Sequence, residues 1–98
     1  MLLVMVRFKV KTDKREALLE LAQKLVDNTV KEEGYVSYEL TEISLASNEF
    51  MFVEKWASKE TLDKHGSTDF FKEQSGHLAQ LLDGEPQTEV YVLGDRLV

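Results

Sequence analysis

His65 and Glu54 are the side chains of this chain best suited to moving a proton. An imidazole exchanges protons near neutral pH, and His65 stands just before Gly66, where a pocket rim could form. Glu54 lies inside the apolar run Phe50-Met51-Phe52-Val53-Glu54-Lys55-Trp56. A carboxylate there must find a partner or bear a desolvation cost, and burial would raise its pKa. It reads either as a base or acceptor beside a pocket, or as half of a buried ion pair with Arg7 or near Lys55 across a dimer. Tyr38, Trp56, Phe52, Phe70 and Phe71 could line an aromatic pocket or simply fill a core. Tyr38 and Trp56 also carry a polar handle that could orient a ligand.

Other chemistries lack their residues. There is no cysteine, which excludes disulfides, thiolate nucleophiles and cysteine-based zinc sites. Two histidines, His65 and His77, make no convincing metal site, so no metal is expected. Asp69 and Glu73 share a helix face but have no third ligand in sight, and they read as a solvated face. No nucleophile elbow, phosphate loop or dinucleotide fingerprint is present. With 18 acidic residues against 12 basic ones and a net charge of -6, the chain lacks the basic stripe of a nucleic-acid binder. The cluster Lys9, Lys11, Lys14, Arg15 reads as a solvated strand-to-helix junction. The apolar start, Met1 to Val6, is too short to span a membrane and has no signal-peptide pattern, so no membrane partner and a cytoplasmic location are expected.

The elements that must position these residues follow from periodicity. At 98 residues, a single domain over 1–98 is expected. Residues 2–10 alternate, with Leu2, Val4, Val6, Phe8 and Val10 on one face, which predicts a strand. Asp13 and Glu16 have the spacing of a capping box, and Leu18, Leu21, Ala22, Leu25 and Thr29 follow at helical spacing until Gly34. Residues 35–42 read as a second strand and 50–56 as a third, joined through a Ser47-Asn48 turn. Ser58 caps a short helix to about Lys64, broken by Gly66. Ser67 or Thr68 caps the next, which carries Phe70, Phe71, Leu78, Leu81 and Leu82. Gly84 and Pro86 end it, and residues 88–93 form a fourth strand. The order predicts an α+β, ferredoxin-like βαββαβ fold, with a four-stranded antiparallel sheet and its helices on one face.

The other sheet face then needs a cover. Leu3 and Met5, Met51 and Val53, and Tyr91 and Leu93 alternate onto it. A second copy of the chain is the simplest cover, so a homodimer through the sheet faces is expected.

Several segments together resemble the antibiotic biosynthesis monooxygenase family of dimeric α+β barrels. They are Val4–Val10, Glu32-Glu33-Gly34-Tyr35-Val36-Ser37-Tyr38-Glu39-Leu40, Phe52-Val53-Glu54-Lys55-Trp56, Ser58-Lys59-Glu60-Thr61-Leu62 and His65. The resemblance implies protomers paired through their sheets, each with a small apolar pocket. It also implies cofactor-free oxygenation of quinols or polyketide aromatics, haem degradation, or isomerisation of a phosphorylated quorum-sensing sugar derivative. Many relatives carry a second histidine where this chain has Phe70. At the positions that haem-degrading relatives fill with Asn, Trp and His, this chain has Arg7, His65 and Ser75.

The functional expectation is a cofactor-independent monooxygenase acting on a small quinol-like or aromatic molecule held between sheet and helices. His65 would take a substrate proton. Glu54, Tyr38 and Trp56 would orient the ring, with Phe52, Phe70, Phe71 and Arg7 around it. The alternatives are an isomerase of a small carbonyl compound on the same scaffold, and a dimeric binding or stress-related module without catalysis.

Overall fold

The structure, a computed structural model, describes residues 1–44 and 48–98. Its elements run β1 (Leu2–Lys9), α1 (Arg15–Thr29), β2 (Tyr35–Ser44), β3 (Glu49–Trp56), α2 (Lys59–Gly66), α3 (Asp69–Leu81) and β4 (Gln87–Val92). The four strands form one antiparallel sheet in the order β2-β3-β1-β4. This is the ferredoxin-like arrangement that the periodicity predicts. Of the expected Ser47-Asn48 turn, Ser47 lies outside the described residues. Asn48 takes a positive φ of 57°, which a short polar side chain tolerates.

Strand alternation divides the sheet into two faces. Val4 and Phe8 of β1, Tyr38 of β2 and Phe50, Phe52, Glu54 and Trp56 of β3 are buried toward the helices. Leu18, Leu21, Ala22 and Leu25 of α1 close over them. Aromatic packing joins the strands: Phe8 lies 6.2 Å from Phe50 and 5.5 Å from Phe52, and Tyr38 lies 5.4 Å from Phe52 between ring centres. The opposite face carries rows set by register. Met5 stands between Val53 and Glu89, and Arg7 between Met51 and Gln87.

Three helix boundaries differ from the sequence reading: α1 ends at Thr29 with Val30 as its C-cap, before Gly34 is reached, and its start and the end of α2 also shift. The Asp13–Glu16 capping box does not form. Lys14 N–H closes a turn on the Lys11 carbonyl, and Lys14 becomes the cap, with no side-chain bond. That shift sets Ala17, which has no polar side chain, at the third helical position. The box forms at α2 instead: Ser58 Oγ accepts from Thr61 N–H, and Thr61 Oγ1 accepts from Ser58 N–H. Gly66 belongs to α2 rather than breaking it, and Ser67 is its C-cap. Thr68 caps α3 by accepting from Phe71 N–H at 3.1 Å.

The turn between α1 and β2 is pressed against α2. Gly34 has φ +81°, and a Cβ built there would stand 2.3 Å from Thr61 Cβ. Glycine is therefore required twice, by conformation and by space. The neighbouring Glu33 carboxylate accepts from Lys64 Nζ at 2.9 Å. The second turn of α2 thus sits in a fixed relation to residues 32–34.

Candidate active site

α3 covers the sheet incompletely. Gln74 is its one buried residue among those described, while Phe71 and Leu78 are only partly covered. Between α3, α2 and the helix-facing side of the sheet lies a cavity of about 610 Å³. Val4, Phe52 and Leu78 make it mainly apolar, and Tyr38, Glu54, His65 and Gln74 supply polar groups. No lysine or arginine lines it among the described residues.

His65 ends the second turn of α2 and is 3% exposed. Its Nδ1 lies 2.9 Å and 3.1 Å from the two carboxylate oxygens of Glu32. Its ring is packed 4.6 Å from Trp56, 4.8 Å from Phe71 and 5.9 Å from Tyr38 between centres. Nε2, at the far side of the ring, is buried with no hydrogen-bond partner among the described residues. The His65 carbonyl accepts from Thr68 Oγ1 at 2.9 Å, which ties the backbone behind the ring to the cap of α3.

Glu54 sits mid-sheet, in register with Val4 on one side and Tyr38 on the other. One carboxylate oxygen accepts from Trp56 Nε1 at 3.0 Å. Burial, opposed by the Trp56 bond and aided by the Glu32 charge, raises its pKa to about 7. Burial and the charges of Glu54 and Glu32 push the Tyr38 phenol above its ordinary value, so it stays a hydroxyl donor at neutral pH.

Of the expected site residues, His65, Glu54, Tyr38, Phe52 and Phe71 meet around the cavity. Trp56 is fully buried behind it, holding Glu54 and packing at a tilt against His65. Phe70 packs against the core and does not line the cavity. Arg7 is on the other face of the sheet, paired with Glu49 at 2.8 Å. It makes no ion pair with Glu54, whose buried partner is the Trp56 indole. Glu32 and Gln74 were not singled out in the sequence reading. Glu32 belongs to a Glu-Glu-Gly helix terminus, and Gln74 interrupts the apolar stripe of α3. Among the described residues no group of three or more His, Cys, Asp or Glu side chains forms a ligand set, and no helix is long and apolar enough to cross a membrane.

The family model described as antibiotic biosynthesis monooxygenase matches residues 1–75. An uncharacterized protein of Synechocystis sp. is 31% identical over 87 residues, 89% of this chain and 59% of the relative, so this chain spans less than two thirds of that protein. "Putative monooxygenase YcnE" of Bacillus subtilis is 36% identical over 72 residues, 74% of this chain and 76% of the relative. Among solved structures, Rv0793 from Mycobacterium tuberculosis is similar with a TM-score of 0.88 and 27% identity, over 99% of this chain and 98% of that one.

The raised Glu54 pKa has a consequence for stability. Its unfolded value is near 4.5 and its folded value about 7, so the folded chain holds a proton that the unfolded chain releases between them. The fold is then favoured below about pH 4.5 and loses about 3 kcal/mol as the pH rises through about 7. E54Q keeps an acceptor for Trp56 and removes the charge. Urea titrations at about pH 5 and pH 8 should show this loss in the wild-type chain and its absence in E54Q.

Proposed function

The chain belongs to the antibiotic biosynthesis monooxygenase family, and we propose that it oxygenates a small, neutral, quinol-like or hydroxylated aromatic molecule in the cavity beside His65. Family and relatives support monooxygenase-type chemistry in general. The observation that carries the finer reading is a buried histidine on the wall of an apolar cavity, with one ring nitrogen held by a carboxylate and the other without a partner among the described residues. A cavity of about 610 Å³ accommodates fused-ring ligands.

His65 Nε2 takes the proton of a substrate hydroxyl or of the carbon beside it. The protonated form of Glu54 and the Tyr38 hydroxyl donate hydrogen bonds to the oxyanion that develops. The electron-rich anion reduces O₂ by one electron, and the two radicals combine into a carbon peroxide. The O–O bond then breaks as the proton returns. One oxygen stays on carbon as C=O in place of two hydrogens, and the other leaves as water, with all four electrons supplied by the substrate. The mainly apolar lining, without a lysine or arginine among the described residues, argues against a phosphorylated substrate and hence against the sugar-phosphate isomerase reading.

H65A should lower oxygen uptake with a hydroquinone or anthrone panel by about 10²- to 10⁴-fold. Unaltered uptake in H65A would remove His65 from the mechanism.

We further propose that the protein acts as a homodimer packed through the open sheet face. Leu3, Met5, Met51 and Val53 on that face are only partly covered within the protomer, and Tyr91 is exposed. Sedimentation equilibrium at micromolar concentration should give twice the chain mass, with V53K shifting it toward one. A well-folded single subunit in the wild-type chain would refute the pairing.

A further inference from the structure

Glu32 has no role in the chemistry above, yet it makes the only side-chain hydrogen bonds to the His65 ring among the described residues. We infer that Glu32 is a positioning residue: its carboxylate fixes His65 in the tautomer that carries the ring proton on Nδ1 and leaves Nε2 as the acceptor for the ligand. This inference rests on the reading of His65 as the base.

The argument is one of donors and acceptors. An ionised carboxylate has no proton to give, so Nδ1 must be the donor in a contact of 2.9 Å. A neutral imidazole has one N–H, so Nε2 then keeps its lone pair. The flipped ring orientation forfeits that bond. Trp56, Phe71 and Tyr38 surround the ring, and a flip would exchange the Glu32 bond for a carbon contact. Glu32 is itself held. Its side chain is only 17% exposed, Tyr35 N–H donates to its carbonyl, and the next two residues meet Lys64 and Thr61 of α2.

The arrangement also compensates charge. When Nε2 accepts a proton, the ring becomes a cation directly against the Glu32 carboxylate. The proton transfer therefore creates no isolated buried charge on the protein. Buried without a partner among the described residues, the bare Nε2 favours ligands that bring a hydroxyl donor to it.

The test is nitrogen NMR of the full chain labelled at histidine, followed through its pH titration, with His77 as the internal reference. Neutral wild-type His65 should show a protonated Nδ1 and a bare Nε2. E32Q can offer an amide N–H to Nδ1, and neutral His65 should then move its proton to Nε2 or exchange between the two. In the same variant kcat should fall on the order of 10²-fold with KM changed far less. A wild-type ring protonated at Nε2, which needs no variant to observe, would overturn the inference. So would an E32Q ring that keeps the wild-type tautomer. Because the tautomer is read without turnover, an inactive panel or an unaffected H65A would count against the oxygenase reading alone.

Discussion

The site depends on one short stretch of backbone pressed against one short helix. Glu32, Glu33 and Gly34 meet His65, Lys64 and Thr61 in turn. α2 has eight residues, too few to persist without support. Its support is the Ser58–Thr61 box at its start, the strand behind it and this turn along its side. The exposed Glu33–Lys64 pair adds little energy. The Glu32–His65 pair is different, since a nearly buried ring and a mostly buried carboxylate satisfy each other and set the direction of the free nitrogen. Gly34 makes the approach possible at all, because any side chain there would overlap Thr61.

The cavity exists because α3 stands away from part of the sheet. α1 packs tightly over the β2–β3 half, where Leu18 and Trp56 are fully buried. Over the β1–β4 half, Val90 stays half exposed, and Phe71 and Leu78 line space instead of filling it. A polar triad then faces an apolar volume. Tyr38 is kept a hydroxyl, Glu54 is poised near neutrality, and His65 is held by Glu32. Acid and base roles can be divided among groups whose environments push them apart.

Much of this was legible in the residues. The period of two in residues 2–8 and 50–56, and the 3.6-residue stripe of α1, gave strand, helix and face. The same alternation already set Arg7 on the face with Leu3 and Met5, away from Glu54, which shares its face with Phe52 and Trp56. His65 and Glu54 stood out because ionisable groups beside apolar runs must be accounted for. What was not legible is tertiary. Nothing in Glu32-Glu33-Gly34 distinguishes a solvated helix end from a turn that reaches 33 residues ahead to a histidine. The cap of α1 falls at Lys14, whose N–H closes a turn on the Lys11 carbonyl, a local backbone option that the Asp13–Glu16 spacing alone does not reveal. Gln74 falls within the apolar stripe of α3, and its meaning appears only when α3 is seen to line a cavity.

The central claim is that the space beside His65 is where this protein meets its ligand. Amide and side-chain shift mapping with a soluble hydroquinone tests it directly, without depending on turnover. The account predicts perturbations concentrated at Tyr38, Glu54, His65, Phe71 and Gln74, with little change at Arg7, Met51 or Val53. Shifts confined to the Arg7–Met51–Val53 face, with His65 unmoved at saturating ligand, would contradict it.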